Sequence, residues 1–128
     1  SIIANFMTKT HYIDIKKAGI FPVVQGIRSL ALREKIRETT TVKRIKILEK
    51  NKILTHDMAN ELNEAFDVLC TLRLKSQLIK LQDNKKMNNE IDTHSLGKIE
   101  RDLLKDSLKI VTDFKKFIAH VFHTDKIS

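Results

Sequence analysis

Met58, Leu62, Ala65, Leu69, Leu72, Ser76 and Ile79 recur at alternating steps of four and three residues. Such spacing returns side chains to one stripe of an α-helix, whereas a strand would scatter them over both its faces. Thr55 is a good N-cap, and Asp57 just inside places negative charge at the positive end of the helix dipole, so a long helix is predicted to about Gln82. A second seam, Leu96, Glu100, Leu103, Ser107, Ile110, Phe114, Phe117 and Val121, is widened by Leu104, Val111, Ile118 and Phe122. Two shorter helices are expected upstream. Pro22 suits a first helical turn, after which Val23, Val24, Ile27, Leu30 and Ala31 share a face. Thr39 or Thr40 caps the next helix, which runs through Lys50 with Val42, Ile45 and Leu48 inward and stops at Asn51, a residue that tolerates left-handed backbone. Two long and two short helices, each with one apolar side, make an all-α four-helix bundle. Three glycines and one proline are too few for the many turns of a sandwich or barrel.

Around this frame, residues 1–9 are read as a short helical lead-in and His11 to Ile15 as an extended arm, because they alternate with the period of a strand. Lys16 to Gly19 break that pattern, Arg33 to Glu38 form a loop, and Asp83 to Asp92 form a polar connection. With 128 residues there is room for one domain with one core: residues 1–19 as arm and junction, 20–128 as bundle. No apolar run approaches the ~20 residues needed to span a bilayer, and the first residues lack the features of a signal peptide. A lone cysteine, Cys70, excludes an internal disulfide and fits a reducing cytoplasm; in its apolar row it reads as core packing. Since Ser1 is not an initiator methionine, the chain is expected to be processed or cut from something longer.

Net charge is +8, and nearly all of the excess lies before residue 51, which points to an anionic partner or to a solvated basic face. Within the helices, Arg73 and Gln77 continue a row begun by Phe66 and Cys70, so both are placed in a half-buried groove. Glu100 interrupts the last seam in the same manner, with Arg101 and Lys105 beside it. Two readings stay open: an internal Arg73–Glu100 ion pair, or an anion-binding groove fed by Arg28, Arg44 and Arg73. His120 and His123 share a helix face near the end of the chain without a third ligand and are read as surface residues, so no metal site is assigned. Gly-rich phosphate loops, paired Cys-x-x-Cys and the Asp-x-Asp carboxylates that hold magnesium in nucleotidyl transfer do not occur, so no catalytic residue is assigned.

The run Ile13-Asp14-Ile15-Lys16-Lys17-Ala18-Gly19-Ile20-Phe21-Pro22-Val23-Val24, followed by Ile27-Arg28-Ser29-Leu30-Ala31-Leu32, resembles a family opening of the form DLKKxGLxPIV…aRxLAL. Thr39 to Ile45 resembles its tnTxxRL, Leu72 to Gln77 its LRLRHQ, and Leu96 to Lys105 its LsxxeRxxLKeA. These patterns, in order from about residue 11 to the end, are those of the family described as a putative nucleotidyltransferase substrate-binding domain. Where the family pattern has Arg-His, this chain has Lys75-Ser76, which keeps a charge but loses a planar fork and a ring donor. The resemblance implies a helical bundle behind a preceding nucleotidyltransferase domain in bacterial signal-transduction proteins that also carry cyclic-nucleotide-binding and CBS domains. It implies substrate or nucleotide binding at Lys16, Lys17, Arg28, Arg44, Arg73, Gln77, Arg101 and Lys105, with no cofactor in this chain. Magnesium and a nucleoside triphosphate are expected in the missing catalytic domain.

The leading expectation is therefore a non-catalytic accessory module forming one wall of a nucleotide or acceptor cleft. Its expected partners are the catalytic domain and a nucleotide or an acidic acceptor; a homodimer is also compatible, and a membrane is not expected. The alternative is a helical protein–protein interaction domain that uses its polar residues for internal ion pairs and docking. Nucleic-acid binding is disfavoured, since one tyrosine and no tryptophan leave few stacking platforms.

Overall fold

The computed structural model describes residues 11–127, with side chains through Thr124, so the lead-in helix predicted over residues 1–9 lies outside the described residues. The chain runs through β1 (Tyr12–Asp14), a π-helical turn (Lys16–Ile20), α1 (Phe21–Arg33), α2 (Thr41–Lys50), α3 (His56–Gln82), β2 (Glu90–Asp92), a 3-10 turn (Thr93–Ser95) and α4 (Lys98–Ile127). Four major helices form an all-α bundle, as the two seams require, with a two-stranded ribbon added at one end. No helix among the described residues is long and apolar enough to cross a membrane.

The long helices α3 and α4 pack antiparallel: Lys75, late in α3, meets Glu100, early in α4, while Met58 lies near Phe114 at the other end. Between them and α1 sits the core, with Val23, Ile27, Leu30, Ile45, Leu48, Leu62, Leu69, Leu104, Leu108 and Val111 all at most 2% exposed. Thr40 and Thr55 cap α2 and α3 as expected, their side chains accepting hydrogen bonds from the backbone N–H groups of Lys43 and Met58.

Lys16 to Gly19 end the strand pattern as expected, and they do so by forming the π-helical turn that runs directly into α1. Burial explains this, because Ala18 and Gly19 face inward and a Cβ on Gly19 would stand 2.9 Å from both δ-carbons of Leu69. Gly26 serves likewise one helix on, where a Cβ would lie 2.5 Å from the Phe114 ring. Asn51 is not left-handed. The left-handed residue is Lys52 (φ 60°), matched by Lys35 (φ 58°) after α1 and Asn84 (φ 54°) after α3. Each follows its helix in the same motif: Ile36, Ile53 and Lys85 donate to carbonyls five residues back, and Lys35, Lys52 and Asn84 to carbonyls three back.

The connection from Asp83 to Asp92 is not entirely loop, since its last three residues are β2. β2 pairs antiparallel with β1 in the register Tyr12–Asp92, Ile13–Ile91 and Asp14–Glu90. Ile13 and Ile91, 5% and 3% exposed, plug the end of the core. The pairing continues outward through Ile15 N–H to the Asn89 carbonyl and Thr93 N–H to the His11 carbonyl. The α4 helix begins at Lys98 rather than Leu96, which stays partly buried just before it.

Candidate functional site

The ribbon does not close the end of the bundle completely. Between the last turns of α3, the ribbon and the segment leading into α4 lies a cleft of about 340 Å³. Leu72, Ile79, Ile91 and Leu96 give it an apolar floor, and Tyr12 stands at its side. Lys75, Ser76, Lys80, Lys85, Asn88 and Ser95 supply polar groups, together with Glu90 and Asp92. An apolar floor with a few converging polar groups, in a volume of this size, is the usual form of a small-molecule seat.

The three lysines differ in how their charge is met. The Lys75 ammonium is 2.6 Å from a carboxylate oxygen of Glu100. That hydrogen bond holds the Glu100 carboxyl below its ordinary range, so the pair's contribution is present above that range and lost as pH falls through the lowered value. Lys80 instead donates to the Asn88 side-chain oxygen at 2.7 Å and to the backbone carbonyl of Glu90. These acceptors are neutral, so Lys80 is held firmly and its charge is not cancelled by them. Lys85 is exposed and makes no ion pair among the described residues. Ser76 donates to the same Glu90 carbonyl at 3.4 Å, which ties α3 to β2 along the cleft.

None of the eight residues singled out in the sequence lines this cleft. Lys16 and Lys17 are exposed on the π-helical turn, and Arg28 is exposed on α1. Arg44 is half-buried on α2, where its Nε donates to the Glu38 carbonyl at 2.7 Å and fastens the preceding loop. Gln77, Arg101 and Lys105 are half-buried on the long helices. Arg73 does not pair with Glu100: its Nε donates to the Asn89 side chain at 2.9 Å. Helix geometry explains the exchange, because residues two apart stand about 200° apart around the axis, so Arg73 and Lys75 cannot face α4 together. Arg73 therefore braces the segment before β2 from outside the cleft. The residues that the sequence reading missed are Lys75, Ser76, Lys80, Lys85 and Tyr12; only the departure of Lys75-Ser76 from the family pattern marked any of them.

Burial pushes the half-buried Cys70 thiol above its ordinary pKa, with nearby Arg73 opposing. His120 and His123 are exposed on α4.

The family described as "Putative nucleotidyltransferase substrate binding domain" matches residues 2–122. No curated protein and no solved structure matches the chain.

Proposed function

The chain belongs to the family of putative nucleotidyltransferase substrate binding domains, and from that premise we propose that it is a non-catalytic binding module whose cleft between α3 and the ribbon seats a nucleotide or an acidic acceptor group. The observation that carries this reading is the cleft itself, with an apolar floor against which a base or alkyl stem packs and Lys75, Lys80 and Lys85 to meet phosphate or carboxylate oxygens. Magnesium and the chemistry of transfer belong to the catalytic domain proposed to precede it in a bacterial signal-transduction protein. Arg28, Arg44, Arg101 and Lys105, with Lys16 and Lys17, then serve as an outer basic surface that draws an anion toward the domain without holding it.

Calorimetry of the protein with ATP tests the seat. Two charge-assisted contacts at ~1.5–3 kcal/mol each predict that Lys75→Gln combined with Lys85→Gln weakens binding at least about tenfold. A bound phosphate also competes for Lys75, so the Glu100 carboxyl should titrate closer to its ordinary value when ligand is present. Affinity that ignores the lysine variants but falls with Arg28→Gln and Arg44→Gln would return the site to the outer arginines.

A second reading, a helical interaction domain, is favoured by a separate observation. Leu74, Leu78 and Leu81 lie on the solvent side of α3, 58%, 51% and 64% exposed, on the same half of the helix that borders the cleft. In that reading this apolar row is the seat of the preceding catalytic domain, and the internal bonds of Arg44 and Arg73 keep the docking surface in shape. The two readings are compatible, since one concerns what the cleft holds and the other what the back of α3 rests against.

A further inference from the structure

We propose that His11, Asp92 and His94 form a binding site for an imidazole-preferring divalent cation of the zinc type. One ligand atom from each residue lies within 4.8 Å of the others. The three come from two segments far apart in sequence, brought together by the ribbon: Tyr12 is paired with Asp92, and the His11 carbonyl accepts both the N–H and the side-chain hydroxyl of Thr93, at 2.8 and 2.9 Å. Backbone placement of the donors is thus fixed before any ion arrives, which removes much of the ordering entropy that a flexible site would lose.

The donor set selects the ion. Two imidazoles with one carboxylate suit zinc and its neighbours, whereas magnesium and calcium favour sets made of oxygens alone. Asp92 is already oriented: one carboxylate oxygen accepts the His94 N–H at 3.0 Å, leaving the other for a metal. The two imidazoles are stacked, centroids 4.3 Å apart and planes 14° apart. Parallel rings hold their lone pairs side by side, so one must turn for both to converge. His94 is the exposed partner and the one free to rotate about its side-chain torsions, while half-buried His11 supplies the fixed wall. Three protein ligands leave a fourth position for water or an exogenous ligand. Bound there, the cation would cross-link the strand that enters the domain to the turn that precedes α4. This inference does not depend on what the cleft binds.

Calorimetric titration of the protein with zinc at neutral pH should show one equivalent bound and a rise in melting temperature. Cobalt in the same site should give the visible absorption of a tetrahedral complex. His94→Ala, an exposed position, should weaken zinc binding at least about tenfold, as loss of one of three ligands requires. Asp92→Asn, which keeps the oxygen that accepts the His94 N–H, should weaken it comparably and provides a second variant whose fold is checked by circular dichroism. The double change His120→Ala, His123→Ala should leave binding intact. Zinc binding that survives His94→Ala and Asp92→Asn unchanged, that disappears with His120 and His123, or that is absent from the unmodified protein overturns the assignment.

Discussion

From Ala59 to Leu72, α3 buries Ala59, Leu62, Ala65, Leu69 and Leu72, none more than 6% exposed; from Leu74 to Leu81 the same helix leaves Leu74, Leu78, Ile79 and Leu81 roughly half exposed or more. The seam is equally regular in both halves, since Ser76 and Ile79 continue it in step. What differs is the covering. The π-helical turn closes on the first half through Gly19 against Leu69, and α2 reaches it through Glu49 and His56. The second half meets the ribbon through hydrogen bonds of Arg73, Ser76 and Lys80 to Asn88, Asn89 and Glu90. Helical period decides which residues share a stripe, but not whether anything lies opposite that stripe. One half became core and the other the wall of a cleft.

The contrast predicts unequal responses to the same truncation. Leu69→Ala should lower unfolding free energy by about 2–5 kcal/mol, as deletion of a fully buried leucine does, while Ile79→Ala, on the same seam but 47% exposed, should lower it by less than about 1 kcal/mol; urea denaturation of both variants measures the difference. Equal losses would show that the second half is as tightly covered as the first. A smaller effect is expected at the α1–α4 contact. Gly26→Ala gains helix propensity but drives a methyl into the ring of Phe114, which is itself only 3% exposed; a net loss of about 1–2 kcal/mol should appear in the same assay. Stabilisation instead would mean that the two helices have room to separate. The smallest effect belongs to the turns. Lys52→Gly relieves a left-handed lysine and should raise the melting temperature slightly, reflecting a net stabilisation of about 0.5 kcal/mol after the added freedom of the unfolded chain is counted.

The four helices and two of their caps were legible because propensity, period and capping chemistry agree at Thr40 and Thr55 and along both seams. The second helix stops at Asn51 as expected, but the left-handed residue falls one position later: Asn51 has the better propensity, yet the geometry of the turn gives that conformation to Lys52. β2 was invisible because three residues with one apolar side chain carry no period; Ile91 acquires its role only by meeting Ile13. Charge misled in a similar way. The basic excess lies before residue 51, whereas the lysines of the cleft come from the nearly neutral remainder. Bulk charge describes a surface, and a seat for a ligand depends on a few groups that converge. Arg73 and Lys75, two residues apart, exchanged expected roles because a helix turns them to opposite sides, and only a known partner face could have said which one meets Glu100.

The pairing of β1 with β2 has a mechanical consequence. His11 leads into β1, and β1 is hydrogen-bonded along its length to the strand that helps line the cleft. A pull on His11 along the strand axis would load the ribbon's hydrogen bonds together, in shear, rather than peeling them one at a time. Such a load would reach Tyr12 and the backbone of Glu90, where Lys80 and Ser76 are anchored. Under that load the ribbon would behave as a tendon between His11 and the mouth of the cleft.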